Sequence, residues 1–440
     1  CGESRPYTPH LTLGRLPRGG GEPGTRAAWA EVVGTLDWTP DALFLLAREG
    51  RGAFRVRAAL PLGPQRTLQA SLDDTGLMLS PGEALERRAV VAGLRAACLS
   101  AGASRVEVLG SEGLGVALAV SDVDLWAEID APLEPWLEGL SSLVLESFPA
   151  ARSEVVPAGD SEQLRLHLEL SSGALLRVDL QAGRSAAFGL AEVATVLSQA
   201  GEDLPAFRLG LVALRAWAQL RQFDRQAFGA LGGVAWAALA AHVWSGLEVR
   251  SPQALLTGVL ERIAAGGQAL TGGRSGTSAS PSLWSASEPT RDLAAPLRPS
   301  VWRALRHEAL AALPLARAAL EGQGAWSGLL LPTGPPLAPR AQLSLEVEQG
   351  QESAAAGWVA SLAQELLRRL EVAGGQPRPY PIPTRSEVDP AGRLELTWWI
   401  GLRSPPPASE WERITSWLDR AGVHAPPGST VTFQLESALQ

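Results

Sequence analysis

Apolar and polar positions change rhythm several times along this chain, and each change predicts an element. Ser80-Pro-Gly-Glu places a hydroxyl cap, a first-turn proline and a glutamate three residues on, which predicts a helix running to about Ser100. Val106-Glu-Val-Leu-Gly predicts a strand leading into a Gly-containing loop, and Val123-Asp-Leu-Trp-Ala-Glu-Ile alternates as a half-buried strand. Leu164 to Leu170 and Leu175 to Leu180 predict a hairpin around Ser-Ser-Gly. Upstream, Asp41-Ala-Leu-Phe-Leu-Leu and Phe54-Arg-Val-Arg-Ala-Ala-Leu read as two further strands, ending near Leu62-Gly63-Pro64. From about 204 to 330, Ala, Leu and Trp recur at helical spacing, broken by a Gly/Ser/Pro-rich loop from about Gly266 to Pro299. A Pro-rich hinge, Leu331-Pro-Thr-Gly-Pro-Pro, then introduces strand, helix, loop, strand, helix, strand, the pattern of an α/β sandwich. The fold class expected is thus multidomain, α/β and α, in segments 1–64, 80–203, 204–330 and 336–440.

Composition narrows the chemistry. The 440 residues are 46% hydrophobic and 19% charged, too apolar for a disordered chain. There is no lysine and no asparagine, so all 38 basic residues are arginine, as a GC-rich coding sequence would give. That excludes a Schiff-base lysine, a Gly-Lys-Ser phosphate loop and N-glycosylation; any phosphate must be held by arginine, hydroxyls or backbone N–H groups. A net charge of −8 excludes a basic mat for nucleic acid, so RNA binding would use local patches. Cys1 and Cys98 cannot build a disulfide framework or a four-cysteine zinc site, and no stretch has the length of a membrane span, which together imply a cytoplasmic protein. The chain opens on Cys1 rather than Met, and an upstream segment is expected.

The strongest chemical signal is Gly110-Ser111, ten intervening residues, then Asp122-Val-Asp124. On a strand, alternate side chains share a face, so the two aspartates project together and repel unless a cation sits between them. A Gly-Ser turn before a helix offers N–H groups and a hydroxyl to phosphates, and paired carboxylates suit oxygen-preferring Mg²⁺. Asp179, in Leu175-Leu-Arg-Val-Asp-Leu, supplies a third carboxylate on a strand, costly there without a metal or a donor.

These elements resemble the nucleotidyltransferases of the poly(A) polymerase type. Leu109-Gly-Ser-Glu-Gly-Leu-Gly-Val through Asp122-Val-Asp-Leu is similar to the family's Gly-Ser and Asp-x-Asp elements, and Phe207-Arg-Leu-Gly-Leu-Val-Ala-Leu-Arg-Ala-Trp-Ala and Leu231-Gly-Gly-Val-Ala-Trp to its central-domain motifs. Ala325-Trp-Ser-Gly-Leu, Gly357-Trp-Val and Trp398-Trp-Ile-Gly-Leu resemble its hinge and RNA-binding domain, so the likeness covers roughly Ser80 to the C-terminus. The resemblance implies a catalytic palm at 80–203, a helical central domain at 204–330 and an RRM-like RNA-binding domain at 336–440, with ATP held between the first two. It implies catalytic, metal-holding roles for Asp122, Asp124 and Asp179 with Mg²⁺ or Mn²⁺, and triphosphate contacts from Gly110 and Ser111. Arg215 stands where the family has a phosphate-binding lysine. Asp224 and Gln226 replace an adenine-stacking tyrosine and a nearby asparagine, while Gly232, Gly233 and Val234 keep the motif beside the base. Phe223, Trp217, Trp236, Trp358, Trp398 and Trp399, set in apolar runs, read first as core.

The activity implied is template-independent transfer of a nucleoside monophosphate, AMP from ATP, to an RNA 3′-hydroxyl in RNA processing or repair. Near the N-terminus, Tyr7-Thr-Pro-His-Leu-Thr-Leu resembles one motif of the two-histidine phosphoesterases and RNA 2′,5′-ligases, with His10 for proton transfer and Thr12 for the phosphate; segment 1–64 would be the C-terminal part of such a domain. His167, His242, His307 and His424 begin no second motif. Two alternatives stay open: an RNA-end phosphoesterase or ligase whose polymerase-like part only binds RNA, and a nucleotidyltransferase acting on a protein or small molecule.

Overall fold

The computed structural model of the chain describes residues 42–47, 55–61, 67–158, 161–183, 187–266, 270, 281–332, 339–386, 388–389 and 391–436, all within one compact unit spanning 42–440. His10 and Thr12 lie outside the described residues.

The strands expected upstream form an antiparallel hairpin, β1 (Ala42–Ala47) with β2 (Arg55–Pro61). After a short helix, α1 (Leu68–Asp73), comes α2 (Pro81–Ser100), opened by the capping box that Ser80 and Glu83 predict. A five-stranded mixed sheet follows: β3 (Arg105–Val108), β4 (Val123–Glu128), β5 (Arg152–Ala158), β6 (Ser161–Glu169) and β7 (Leu175–Ala182), ordered β3-β4-β7-β6-β5. Helix α3 (Gly110–Leu114) lies between β3 and β4, and α4 (Leu133–Ser147) between β4 and β5. Leu94, Val123, Leu125, Leu137, Leu164, Val178 and Leu180 form the core joining α2 and α4 to the sheet. Only the β4–β7 pair is parallel among these strands, and its register sets Asp124 opposite Asp179.

Helices α5 (Ala187–Ala200), α6 (Leu204–Leu220), α7 (Gly233–Ser245), α8 (Pro252–Ala265) and α9 (Pro299–Leu320) make the helical layer the Ala/Leu/Trp spacing predicts. Trp217, Trp236 and Phe223 are sealed in its core, as read from their apolar surroundings. No helix among the described residues is long and apolar enough to cross a membrane.

The C-terminal segment runs β8 (Arg340–Glu348), α10 (Glu352–Val372), β9 (Arg378–Arg385), β10 (Arg393–Gly401), α11 (Ala408–Gly422) and β11 (Thr430–Glu436). The expected α/β sandwich is present, a βαββαβ unit with sheet order β11-β8-β10-β9. One expectation is corrected: the segment read as a loop is strand β9. Its Pro379, Pro381 and Pro383 argue against a central strand, and β9 sits at the sheet edge, where proline is tolerated.

Candidate functional site

A cleft of about 210 Å³ opens between the sheet and the helical layer. Its floor is the turn at Gly110-Ser111 and the aspartates at the start of β4; its far wall is Arg215 of α6, Asp224 and Arg225 after it, and Gly233-Val234 at the start of α7. Eight of the residues singled out from sequence therefore line one cleft: Gly110, Ser111, Asp122, Asp124, Arg215, Asp224, Gly233 and Val234. Asp179 lies beside them through strand pairing, and Gln226 does not line the cleft. The Gln226 side chain packs against Gly232, where a Cβ would come within 2.9 Å of its Oε1, and its backbone carbonyl accepts from Gln364 at 2.9 Å.

Local geometry explains the glycine at the turn. Gly110 has φ +57, and an added Cβ would collide with Asp124 Oδ2, so the Asp124 carboxylate needs both the backbone and the space that glycine leaves. Leu109 N–H donates to Asp124 O at 2.8 Å, fastening the turn to β4.

From the end of α3 to β4 the chain is braced by three arginines, of which only Arg215 was singled out from the sequence. Arg87, buried on α2, donates to Ala119 O at 2.5 Å and Ser121 O at 2.8 Å, and Arg208 donates to Leu114 O at 2.8 Å. Arg215 donates to Val116 O, and to Ser121 Oγ at 3.1 Å. Arg215 thus holds the cleft rim as well as placing a charge in the wall. Burial pushes its pKa down, opposed by the carboxylates of Asp224 and Asp124.

The carboxylates have different surroundings. Burial first, then the charge of Asp179, pushes the Asp124 carboxyl up to about 6, with Arg215 acting in the other direction. Asp179 is gripped by the Arg165 fork, Nε to Oδ1 at 2.8 Å and Nη2 to Oδ2 at 3.2 Å, from directly across the β6–β7 pair. That is the donor partner a buried strand carboxylate requires. Arg177 pairs with Asp122, and its Nε lies 3.6 Å from Asp179 Oδ2. Burial also raises Asp224, whose Oδ1 is buried with no hydrogen-bond partner.

Among the described residues no group of three or more His, Cys, Asp or Glu stands spaced to hold a metal ion. Two of the three aspartates are turned to arginines instead. The donor set still suits a hard divalent cation: oxygen ligands only, with Asp124 held against Asp179 in a repulsion that a cation between them would relieve. The residues fit Mg²⁺ by donor type and burial, and Arg177 is its competitor at Asp122. A signal for Arg177 was present in the sequence, since it precedes Asp179 by two residues and shares its strand face.

No family model and no curated protein matches the chain. Similar solved structures include the Cid1 poly(U) polymerase with MgGTP bound, at 12% identity and a TM-score of 0.48, covering 60% of this chain and 98% of that one. A Cid1 structure described for its RNA terminal uridylyl transferase activity is 13% identical with a TM-score of 0.49, covering 61% of this chain and 98% of that one. A cytoplasmic RNA terminal U-transferase is 13% identical with a TM-score of 0.48, over the same 61% and 98%.

Proposed function

We propose that the chain is a template-independent RNA 3′-end nucleotidyltransferase transferring AMP from ATP. The observation that carries the reading is the meeting of the Gly110-Ser111 turn, Asp122, Asp124 and Arg215 in one cleft, with Asp179 in register beside Asp124. Asp122, Asp124 and Asp179 are the residues that would hold Mg²⁺ or Mn²⁺. When bound, the metal supplies charge neutralisation at the triphosphate and acidifies the attacking hydroxyl.

The chain's own residues supply position. Ser111 is the hydroxyl donor to the triphosphate, and Arg215 adds a fixed positive charge to the same wall. Asp124 lies against the glycine turn, which sets its carboxylate at the floor of the cleft beside Ser111. Asp224, with its unpaired Oδ1 in the wall, is the acceptor for an exocyclic amino group, which adenine, cytosine and guanine carry and uracil lacks, so it separates ATP from UTP but not from CTP or GTP. In this reading 80–203 is the catalytic part, 204–330 the helical partner across the cleft, and 336–440 the RNA-binding part.

The test is incorporation of each labelled nucleoside triphosphate in turn onto an RNA primer with Mg²⁺ or Mn²⁺. ATP is expected to extend the primer best, and Asp122→Ala to abolish extension. Failure to extend with any nucleotide overturns the polymerase reading; extension that prefers UTP overturns the role given to Asp224.

A further inference from the structure

A second cavity, of about 400 Å³, lies between the start of α9 and the C-terminal sandwich. Ser300, Arg303 and His307 line it from α9; Gln376, Arg378 and Arg403 line it from the sandwich. Three guanidinium groups and an imidazole around one hollow are unexpected in a chain of net charge −8.

Its wall holds polar atoms with nothing to bind. Arg378 uses Nη1 on Glu308 at 2.6 Å, while its Nε and Nη2 are buried with no hydrogen-bond partner. Those two N–H groups form the side-on fork of a guanidinium, the same pair with which Arg165 grips both oxygens of Asp179. Ser300 is 4% exposed, and its Oγ is likewise buried and unpaired. Its backbone N–H is already taken by Glu371 at 2.9 Å, so what the helix offers here is its side chains. Glu308 offsets one positive charge and is shared with Arg221 at 3.5 Å. Arg303, His307 and Arg403 are exposed at the mouth.

Unpaired buried donors, a guanidinium fork that has ring contacts from Phe223 and Tyr380 but no hydrogen-bond acceptor, and surplus positive charge make a site for a compact polyvalent oxyanion. We propose that this cavity binds a phosphate group, carried by an RNA strand or by a free phosphorylated compound. Arg378 takes two phosphate oxygens through Nε and Nη2, Ser300 donates to a third, and Arg303 and Arg403 close the mouth. Only the RNA source rests on the nucleotidyltransferase reading.

The test uses the full chain in EDTA, so that no extension chemistry enters. The Arg303→Ala/Arg403→Ala double variant removes exposed side chains and keeps the fold, checked by an unchanged thermal midpoint. Two probes are titrated: a fluorescent single-stranded RNA followed by anisotropy across salt concentrations, and inorganic tripolyphosphate followed by calorimetry. If the source is RNA, the variant binds the strand about tenfold more weakly, and its log–log salt slope falls by about 0.7 for each RNA phosphate it no longer neutralises. If the source is a free compound, tripolyphosphate weakens about tenfold and RNA binding is unchanged. Wild-type affinity of the variant for both probes overturns the site. Neither probe needs incorporation, so loss of the polymerase reading and loss of this one are separate results.

Discussion

Arg177 and Arg165 do for Asp122 and Asp179 part of what a divalent cation would do: they put positive charge on carboxylates that crowd together. Arg177 is the weaker competitor, since its side chain is 39% exposed and solvent screens its pairing. An exposed ion pair is worth about 0.2–1 kcal/mol, so Arg177→Gln is expected to tighten Mn²⁺ binding by up to ~5-fold, read by calorimetry on the protein without nucleotide. Equal affinity in the two proteins would show that the pair does not compete. At this scale the sequence was informative about carboxylates and less so about their partners. A hairpin centred on Ser172, where Leu170 N–H donates to Ala174 O at 2.8 Å, puts Arg165 across from Asp179, yet that consequence follows only once the register is known. Burial of Cys98, whose thiol is pushed up to about 12, agrees with a cysteine that is core and not chemistry.

At the scale of elements, the site depends on one pairing, β4 with β7 in parallel, which fixes Asp124 opposite Asp179. Local pattern cannot give this pairing, because α4, β5 and β6 intervene between the two strands. Helix α2 is the opposite case, written in Ser80-Pro-Gly-Glu and found with both capping bonds in place. Strand β9 was hidden by its prolines, which mark a loop unless the strand is known to lie at an edge. The burial of Asp124, with Asp179 set against it by the β4–β7 register, has a pH signature. With the Asp124 carboxyl raised to about 6 from its usual 3.8, the folded protein holds a proton that the unfolded chain has released between those values. Its contribution to stability therefore falls as pH rises from about 4 to about 6 and levels off above. In metal-free urea unfolding, Asp124→Asn is expected to gain on the wild type by on the order of 2–3 kcal/mol between pH 4 and pH 7. Parallel pH profiles would show that neither burial nor Asp179 holds this carboxyl up.

Across the whole molecule, buried charge helps fasten the C-terminal sandwich to the helical layer. Glu308, 5% exposed on α9, takes Arg378 of β9 at 2.6 Å and Arg221 at 3.5 Å. Glu371 of α10 takes Arg298 and the Ser300 N–H, and Gln364 reaches Gln226 O and Pro296 O. Composition foretold that arginine would carry such work, since no lysine exists to share it, but not which layers it would join. Removing one member of a buried cluster strands the others, so Glu308→Gln is expected to cost about 3–5 kcal/mol and lower the urea midpoint followed by tryptophan fluorescence. A midpoint within error of the wild type would mean the docking does not rest on this cluster.

The braced stretch between α3 and β4 has a consequence for traffic through the cleft. It is tied on one side to Arg87 of α2, which packs with the sheet, and on the other to Arg208 and Arg215 of α6, which pack with the helices. Only together do these bonds span the seam between the two layers, through the stretch they share. The walls of the cleft are riveted together at the point where Asp122 enters it. On the proposed function, a nucleotide is expected to exchange through the mouth that these ties hold, past the side chains that line it.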